Sequence, residues 1–444
     1  MSLSASKGGV FDETDDPQGL SIAIVRHWLD TGAKKITGAA LYQSLCPVAR
    51  PTQLELGIGN TCGLECQHCF LGYRSSTMNE TLVPLPRLFQ TVTTLVEQLG
   101  TRMICLTDRD ALTPKRSIPF FEHVAVLRQR YPSLKFGGVT NGLALLRYAN
   151  DLQRIQLDYL DISLDGTRHE HDAFRGSGQF DRALANLRLA LKHQVAERIM
   201  VAMTLTRFND DALIRLIHQL ILKEGVQWID IGPLMAVKMQ RYQLGPTDLV
   251  AFLESLSRSL EPLRLNRPVT ILMELCAYCA AFLPALVDSG WLMPDQIRQD
   301  RYGHLYQHLP VNNTIKITLR PELIPEYWRH TLRITADGYV IGGCEPLTQP
   351  DYARFAIGNI QDTSIQELYA QSLAPGSPFH SMMLAYNHSP CRTKPCFAHC
   401  LGGDALLAKA VYDDYHRKDP NCTWDDYDYR HPARAPAATQ KIIV

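Results

Sequence analysis

Cys62-Gly63-Leu64-Glu65-Cys66-Gln67-His68-Cys69 follows the run Gln53–Gly57, which reads as a first β-strand. Three thiols at spacings of four and three residues can converge from one loop on a single metal cluster. On a four-iron cubane, three protein ligands leave one iron open. An open iron can chelate a substrate, where a fourth cysteine would close it. Zinc would need a fourth ligand, for which His68 is at hand. The CxxxCxxC spacing on a loop after a strand favours iron–sulfur over zinc.

Outward from this loop, strands and helices alternate to about residue 235. β-rich runs lie at Gln53–Gly57, Met103–Leu106, Lys135–Thr140, Tyr159–Ser163, Ile199–Thr206 and Trp228–Ile231. Helical patterns lie at Leu85–Leu99, Pro119–Arg130, Asp181–His193 and Asp211–Glu224. This rhythm predicts an α/β fold with a parallel sheet and outer helices. Six strands fit a partial (β/α)6 TIM-like barrel better than a closed eight-stranded one. Active residues in such a sheet gather at the C-terminal strand ends, where the cysteine loop begins. Asp248–Leu260 is a further helix, and Pro268–Trp328 reads as irregular. A new unit begins after Thr331, with a hairpin at Ile334–Ile341 turning on Asp337-Gly338 and then cysteine-dense loops. Ahead of the first strand lie a polar tail, a short amphipathic helix around Leu20–Leu29 and a linker ending near Pro51.

The 444 residues allow two or three domains and a large core. Lys+Arg and Asp+Glu both total 45, with no long run of like charge. That argues against a general polyanion binder, so no nucleic-acid partner is expected. The N-terminus lacks the basic stretch and apolar core of a secretory signal. The longest nearly apolar run, Leu275–Val287, is shorter than the ~20 residues that span a bilayer. A cytoplasmic protein with no membrane partner is expected. Most of the twelve cysteines cluster, as Cys62/66/69, Cys276/279 and Cys391/396/400. In a reducing compartment such clusters point to metal ligation rather than disulfides. Cys105 lies in a strand and reads as plain core.

The cysteine loop, with three further runs, resembles the radical S-adenosylmethionine (SAM) superfamily. Thr140-Asn141-Gly142 ends the third strand and Ser163-Leu164-Asp165-Gly166 the fourth. The latter continues into His171-Asp172-Ala173-Phe174-Arg175-Gly176-Ser177-Gly178-Gln179-Phe180. This run is similar to the subgroup that includes sulfatase-maturing and peptide-modifying enzymes. The resemblance implies a 4Fe-4S cluster on Cys62, Cys66 and Cys69, whose open iron chelates SAM. It also implies an external one-electron reductant of flavodoxin or ferredoxin type. Reductive cleavage of SAM would give a 5′-deoxyadenosyl radical that abstracts hydrogen from substrate. His68 would stack near the adenine, or be a solvated loop histidine. Ser163 and Asp165 would hold polar groups of SAM over the open face, with Thr140, Asn141 and Arg175 as further cofactor-binding candidates. The His171–Arg175 stretch also reads as a loop held by local ion pairs. The family's Gly-Gly-Glu-Pro segment is replaced here by Thr107-Asp108-Arg109-Asp110-Ala111-Leu112-Thr113-Pro114. Asp108 or Asp110 would supply the carboxylate.

The C-terminal unit resembles the SPASM extension, a small domain carrying one or two auxiliary 4Fe-4S clusters. Its marks are Ile334–Glu345, Gly358-Asn359-Ile360, Cys391, Cys396, Cys400 and Cys422. The pattern is incomplete, and Cys276-Ala277-Tyr278-Cys279 can repair it by joining Cys344 and Cys400. Cys391, Cys396 and Cys422 would then form a second site one ligand short. One auxiliary cluster on Cys344, Cys391, Cys396 and Cys400, or a zinc knuckle, is the alternative. Glu345 holds the position of a substrate-facing base in sulfatase-maturing relatives and is the catalytic candidate; an exposed turn carboxylate is the other reading. The expected organisation is a tail and short helix over 1–50, the radical SAM barrel over 51–265 and a bridging region over 266–330. The SPASM-like domain follows over 331–432 and a disordered tail over 433–444.

Three functions remain open on the sequence. The first is hydrogen abstraction from a peptide or protein side chain, ending in oxidation or a cross-link. The second is the same chemistry on a small molecule, as dehydrogenation or epimerisation of a sugar or amino acid. The third is a non-catalytic iron–sulfur carrier. About 50 residues precede the first strand, too few for a typical leader-binding domain, which weakens a peptide recognised in cis.

Overall fold

Inward and outward side chains alternate along a strand, and here both series are buried, so the parallel strands read as near-continuous buried runs. The computed structural model describes residues 38–46, 49–71, 81–113, 115–235, 239–300, 302, 304–322, 330–385, 389, 391–394, 397–400 and 402–422. The expected Leu20–Leu29 helix, the tail from Ala433 and Cys396 lie outside them.

The strands are β1 (Gln53–Gly57), β2 (Met103–Thr107), β3 (Lys135–Thr140), β4 (Leu157–Ser163), β5 (Ala196–Leu205), β6 (Trp228–Pro233) and β7 (Val269–Leu275). There follow β8 (Arg298–Gln299), β9 (Leu305–Pro310), β10 (Ile315–Pro321), β11 (Thr331–Ile334), β12 (Tyr339–Ile341) and β13 (Gly358–Asn359). They form one sheet in the order β13-β12-β11-β1-β2-β3-β4-β5-β6-β7-β10-β9-β8. From β11 through β1 to β7 and on to β10, every pair is parallel. The six expected strands are therefore the centre of a longer parallel run. Residues 268–328, expected to be irregular, supply β7 to β10, and this corrects the sequence reading.

Helices Leu85–Thr94, Ser117–Arg130, Leu145–Ile155, Gln179–His193 and Asp210–Gln219 follow successive strands. Leu145–Ile155 was not expected, although Leu145, Ala149, Leu152 and Ile155 are all buried on one face. Arg168–Arg175, read above as loop, is a helix as well. Outward residues such as Leu54, Ile104, Leu160, Ile229 and Ile271 pack beneath the helices in one core. Each such burial stabilises by about 1.5–3 kcal/mol. Inward residues Met103, Tyr159, Met200 and Leu272 form a separate cluster with Tyr302 that fills the barrel. Above that apolar layer the inward positions turn polar, and this sets the character of the site.

The expected hairpin is present: β11 and β12 are antiparallel, with Gly338 at φ 96° in the turn. It is not a free-standing unit, because β11 pairs in parallel with β1, Gln53 opposite Thr331. No helix among the described residues is long and apolar enough to cross a membrane.

Candidate active site

The parallel strands end at a common rim, and a cavity of about 590 Å³ opens there. That is ordinary for a small-molecule site. Cys62, Cys66 and Cys69 line it from the loop after β1, and Cys276 and Cys344 from the loops after β7 and β12. The loop leans on the C-terminal unit, with Cys69 and Phe70 packed against Leu71, Ile341, Leu347 and Tyr352. Asn141, beyond β3, donates from Nδ2 to Cys62 Sγ at 3.4 Å. Arg175 Nη1 lies 4.0 Å from Cys66 Sγ.

Asp165 organises the wall beside the loop. It is fully buried, and one carboxylate oxygen accepts from Arg175 Nε and lies 3.3 Å from His68 Nε2. The other accepts from the Thr204 backbone N–H at 2.8 Å. Burial alone would raise its pKa, but Arg175 and then His68 hold it well below the usual carboxylate range. Asn209 locks the same turn, donating to the Asp165 and Thr204 carbonyls at 2.9 and 2.8 Å. His171 Nδ1 accepts from the Asp165 N–H at 3.1 Å, and burial pushes its pKa down to about 4. Asp165 does not line the cavity. Its carboxylate is committed to aiming Arg175 and His68, which do. His68 also packs on Phe174, with ring centroids 5.1 Å apart.

The segment replacing Gly-Gly-Glu-Pro divides its two aspartates. Asp110 is buried and turned away: it accepts from Thr140 Oγ1 at 2.9 Å, Leu112 N at 2.8 Å and Asn141 N at 3.1 Å. It therefore shapes the Thr140–Gly142 turn from behind. Asp108 faces the cavity in a left-handed conformation, φ 73°. Arg333 on β11 donates to it at 2.5 Å and to Glu55 on β1. Gly57 makes room, since a Cβ there would overlap Asp108 Oδ2 and stand 2.9 Å from Ala336 N. Thr140, Asn141 and Ser163 also line the cavity.

The opposite wall carries residues that the sequence reading missed. Asp230 on β6 and Glu274 on β7 line the cavity, with Arg320 on β10 donating to Glu274. Asp161 on β4 stands behind them, where burial and then Glu274 raise its pKa to about 7 against the pull of Arg320. The available signal was a charge set among the apolar residues of each strand, which only barrel closure turns into a shared interior.

Of the later cysteines, Cys276 and Cys344 reach the cavity. Cys279 is buried behind them, and helix Phe397–Cys400 packs on the Ala277–Phe282 turn, with Cys400 buried too. Cys391 is buried elsewhere in that unit, and Cys422 follows Asp419, its N–H bonded to the Asp419 carbonyl at 3.0 Å. Glu345 departs from expectation. It is neither exposed nor on the cavity; 3% of its surface is accessible, and Cys344 Sγ lies 3.8 Å from its carboxyl oxygen. Burial and then Asp404 raise its pKa well above the ordinary value.

Residues 56–220 match the family model described as Radical SAM superfamily, so the chain contains a radical SAM domain. Molybdenum cofactor biosynthesis protein 1 of Drosophila melanogaster is 32% identical over an alignment of 171 residues that covers 36% of this chain and 28% of that protein. The chain thus spans under a third of the curated relative it matches. Streptococcus suis SuiB bound to S-adenosylmethionine superposes with a TM-score of 0.62 at 13% identity, over 95% of this chain and 84% of that one. Native anSMEcpe with bound AdoMet and Cp18Cys peptide gives 0.55 at 16% identity, over 86% and 96%. Both likenesses run through the barrel into the C-terminal unit, so the partial barrel with a SPASM-like extension is the fold.

A radical SAM domain implies a 4Fe-4S cluster and SAM, and the residues present fit them. Three thiols face one cavity from one loop. Burial pushes the Cys62 and Cys66 thiols up, Cys66 to about 12 despite Arg175. Thiolates there need a strongly positive partner such as iron. Among the described residues, no three His, Cys, Asp or Glu side chains close as tightly as a single ion requires. A four-iron cubane is wider than an ion and takes more separated sulfurs.

Proposed function

We propose that the chain is a radical SAM enzyme acting on a peptide or protein side chain. The observation that carries this is the open-sided trio Cys62, Cys66 and Cys69 on a cavity that a second cysteine group also reaches. Bound here, a reduced 4Fe-4S cluster would supply the electron for reductive cleavage of SAM, the chemistry that starts hydrogen-atom abstraction from a substrate. The chain's own residues do the rest. Cys62, Cys66 and Cys69 would hold the cluster. Asn141 and Arg175 direct N–H groups at the first two sulfurs, and Asp165 keeps Arg175 and His68 in position. Asp108, fixed by Arg333, offers the carboxylate for the SAM amino group, and Ser163 and Thr140 border the same space.

Cys276, Cys279, Cys344 and Cys400 are the favoured set for an auxiliary cluster, because the first three lie together and the helix bearing Cys400 packs on the Cys279 turn. Such a cluster would border the cavity through Cys276 and Cys344, where it can accept the substrate electron or bind substrate. Cys391, Cys396 and Cys422 remain for a second site. The peptide reading draws support from anSMEcpe, which shares the architecture over most of both chains and holds a peptide. The match to a molybdenum cofactor biosynthesis protein favours a small-molecule substrate as the second reading.

The test is anaerobic reconstitution, reduction with dithionite and quantitation of 5′-deoxyadenosine. Wild type is expected to form it from SAM, and Cys66→Ala is not. None above background from wild type with its cluster verified overturns the reading in favour of an electron carrier.

A further inference from the structure

Asp230 and Glu274 stand on neighbouring strands and face the cavity, with Asp230 opposite Leu272 and Ile231 opposite Met273 in the parallel register. Asp161 lies behind, only 7% exposed. Asp161 Oδ1 and Asp230 Oδ1 are both buried and accept no hydrogen bond. Arg320 stands at this wall and donates to Glu274. Three carboxyl groups thus share one guanidinium. Buried carboxylates in excess are costly unless a cation meets them. The wall is also set apart from the SAM side. The cysteine loop, Asp108 and Asn141 follow β1, β2 and β3, whereas Asp230 and Glu274 belong to β6 and β7, beside Cys276.

We propose that this acidic wall is the substrate-recognition subsite, and that it selects a primary ammonium or guanidinium group carried on a flexible stem. A lysine or arginine side chain of a peptide, or a free alkyl amine of the same chemistry, would meet it. The assignment rests on the radical SAM reading of the cavity and names its substrate class. Asp230 accepts from the cation, Glu274 adds a second acceptor while staying paired to Arg320, and Asp161 contributes charge from behind. Entry of the cation anchors the substrate at β6–β7 and leaves its stem across the cavity towards the cysteine loop.

Binding is measured by calorimetry on the reconstituted holoprotein with SAM present, so the readout does not depend on turnover. The probes are Ala-Ala-Lys-Ala-Ala and its norleucine counterpart, Ala-Ala-Arg-Ala-Ala and its citrulline counterpart, and free cadaverine and agmatine. Basic probes are expected to bind roughly thirtyfold or more tightly than their neutral counterparts. Asp230→Asn should lower the preference, and Glu274→Gln should lower it with Arg320 left unpaired. Tighter binding of the peptides assigns a peptide substrate, and tighter binding of the free amines a small molecule. Equal binding of lysine and norleucine probes, or no binding of basic probes at millimolar concentration, overturns the subsite. So does an unchanged preference in Asp230→Asn. Absence of 5′-deoxyadenosine from wild type would instead overturn the enzyme reading.

Discussion

Replacing Asp165 by asparagine keeps the shape of the side chain and removes its charge. Its carboxylate is fully buried and receives Arg175 Nε, the Thr204 N–H and, at 3.3 Å, His68 Nε2. An asparagine can still accept from one of these groups, but its NH₂ must point at another donor. Arg175, largely buried, is left without its counter-charge. Breaking a buried ion pair from one side costs about 3–5 kcal/mol. For a chain of this length, at about 2 °C per kcal/mol, the melting temperature should fall by roughly 6–10 °C. Differential scanning fluorimetry under anaerobic conditions reads this directly. Removing the partner as well, in Asp165→Asn/Arg175→Met, should regain about 1–3 kcal/mol, because no buried charge is then stranded. Iron content should fall in the single variant, since Arg175 no longer faces Cys66. A loss under about 2 °C, or strict additivity in the double variant, would refute the claim that Asp165 and Arg175 act as one unit.

Asp161→Asn tests the acidic wall through pH. The folded-state pKa of Asp161 is raised from 3.8 to about 7, so its stabilising contribution is present below 3.8 and lost as pH rises through 7. The variant should therefore melt higher than wild type at pH 8 and gain less at pH 5; equal gains at both would contradict this. Asn141→Ala removes a hydrogen bond to Cys62 Sγ that favours the more negative, reduced cluster. Redox titration followed by electron paramagnetic resonance should give a lower midpoint potential, and an unchanged or higher one counts against the contact. Cys276→Ala should remove about four irons per chain and spare the signal of the first cluster; iron quantitation decides, and a full complement excludes Cys276 as a ligand. Gly57→Ala drives a methyl into Asp108 and should weaken SAM binding about tenfold or more in equilibrium dialysis, with wild-type affinity disproving the role given to Asp108.

Local pattern carried much of this architecture. Runs with apolar residues on both faces marked β1 to β6 because each lies between neighbours and beneath helices, and Leu85–Leu99 marked a helix by its stripe. The first cysteine group was legible for the same reason: all three cysteines sit on eight consecutive residues. β7 was harder. Val269–Leu275 is a good strand by composition, but its identity depends on β6 and β10, the latter 40 residues away, and cysteine and proline follow at once. Asp161, Asp230, Glu274 and Arg320 lie on four separate strands, and their meeting is a product of barrel closure that no spacing encodes. Glu345 shows the opposite difficulty. Its place next to Cys344 was read correctly, but chain adjacency says nothing about direction, and the fold buries the carboxyl away from the cavity.

The pairing of β11 with β1 bears on how this chain can be cut. A fragment ending before Thr331 would strip β1 of one partner and leave its N–H and C=O groups as a raw sheet edge, open to association with other chains. The same cut would take away Arg333, and with it the clamp on Glu55 and Asp108. The two cysteine centres are therefore stitched to adjacent strands, and the spacing between them is held by backbone hydrogen bonds rather than by a linker. Grafting the C-terminal unit of a relative onto this barrel will succeed only where the β1–β11 register is kept.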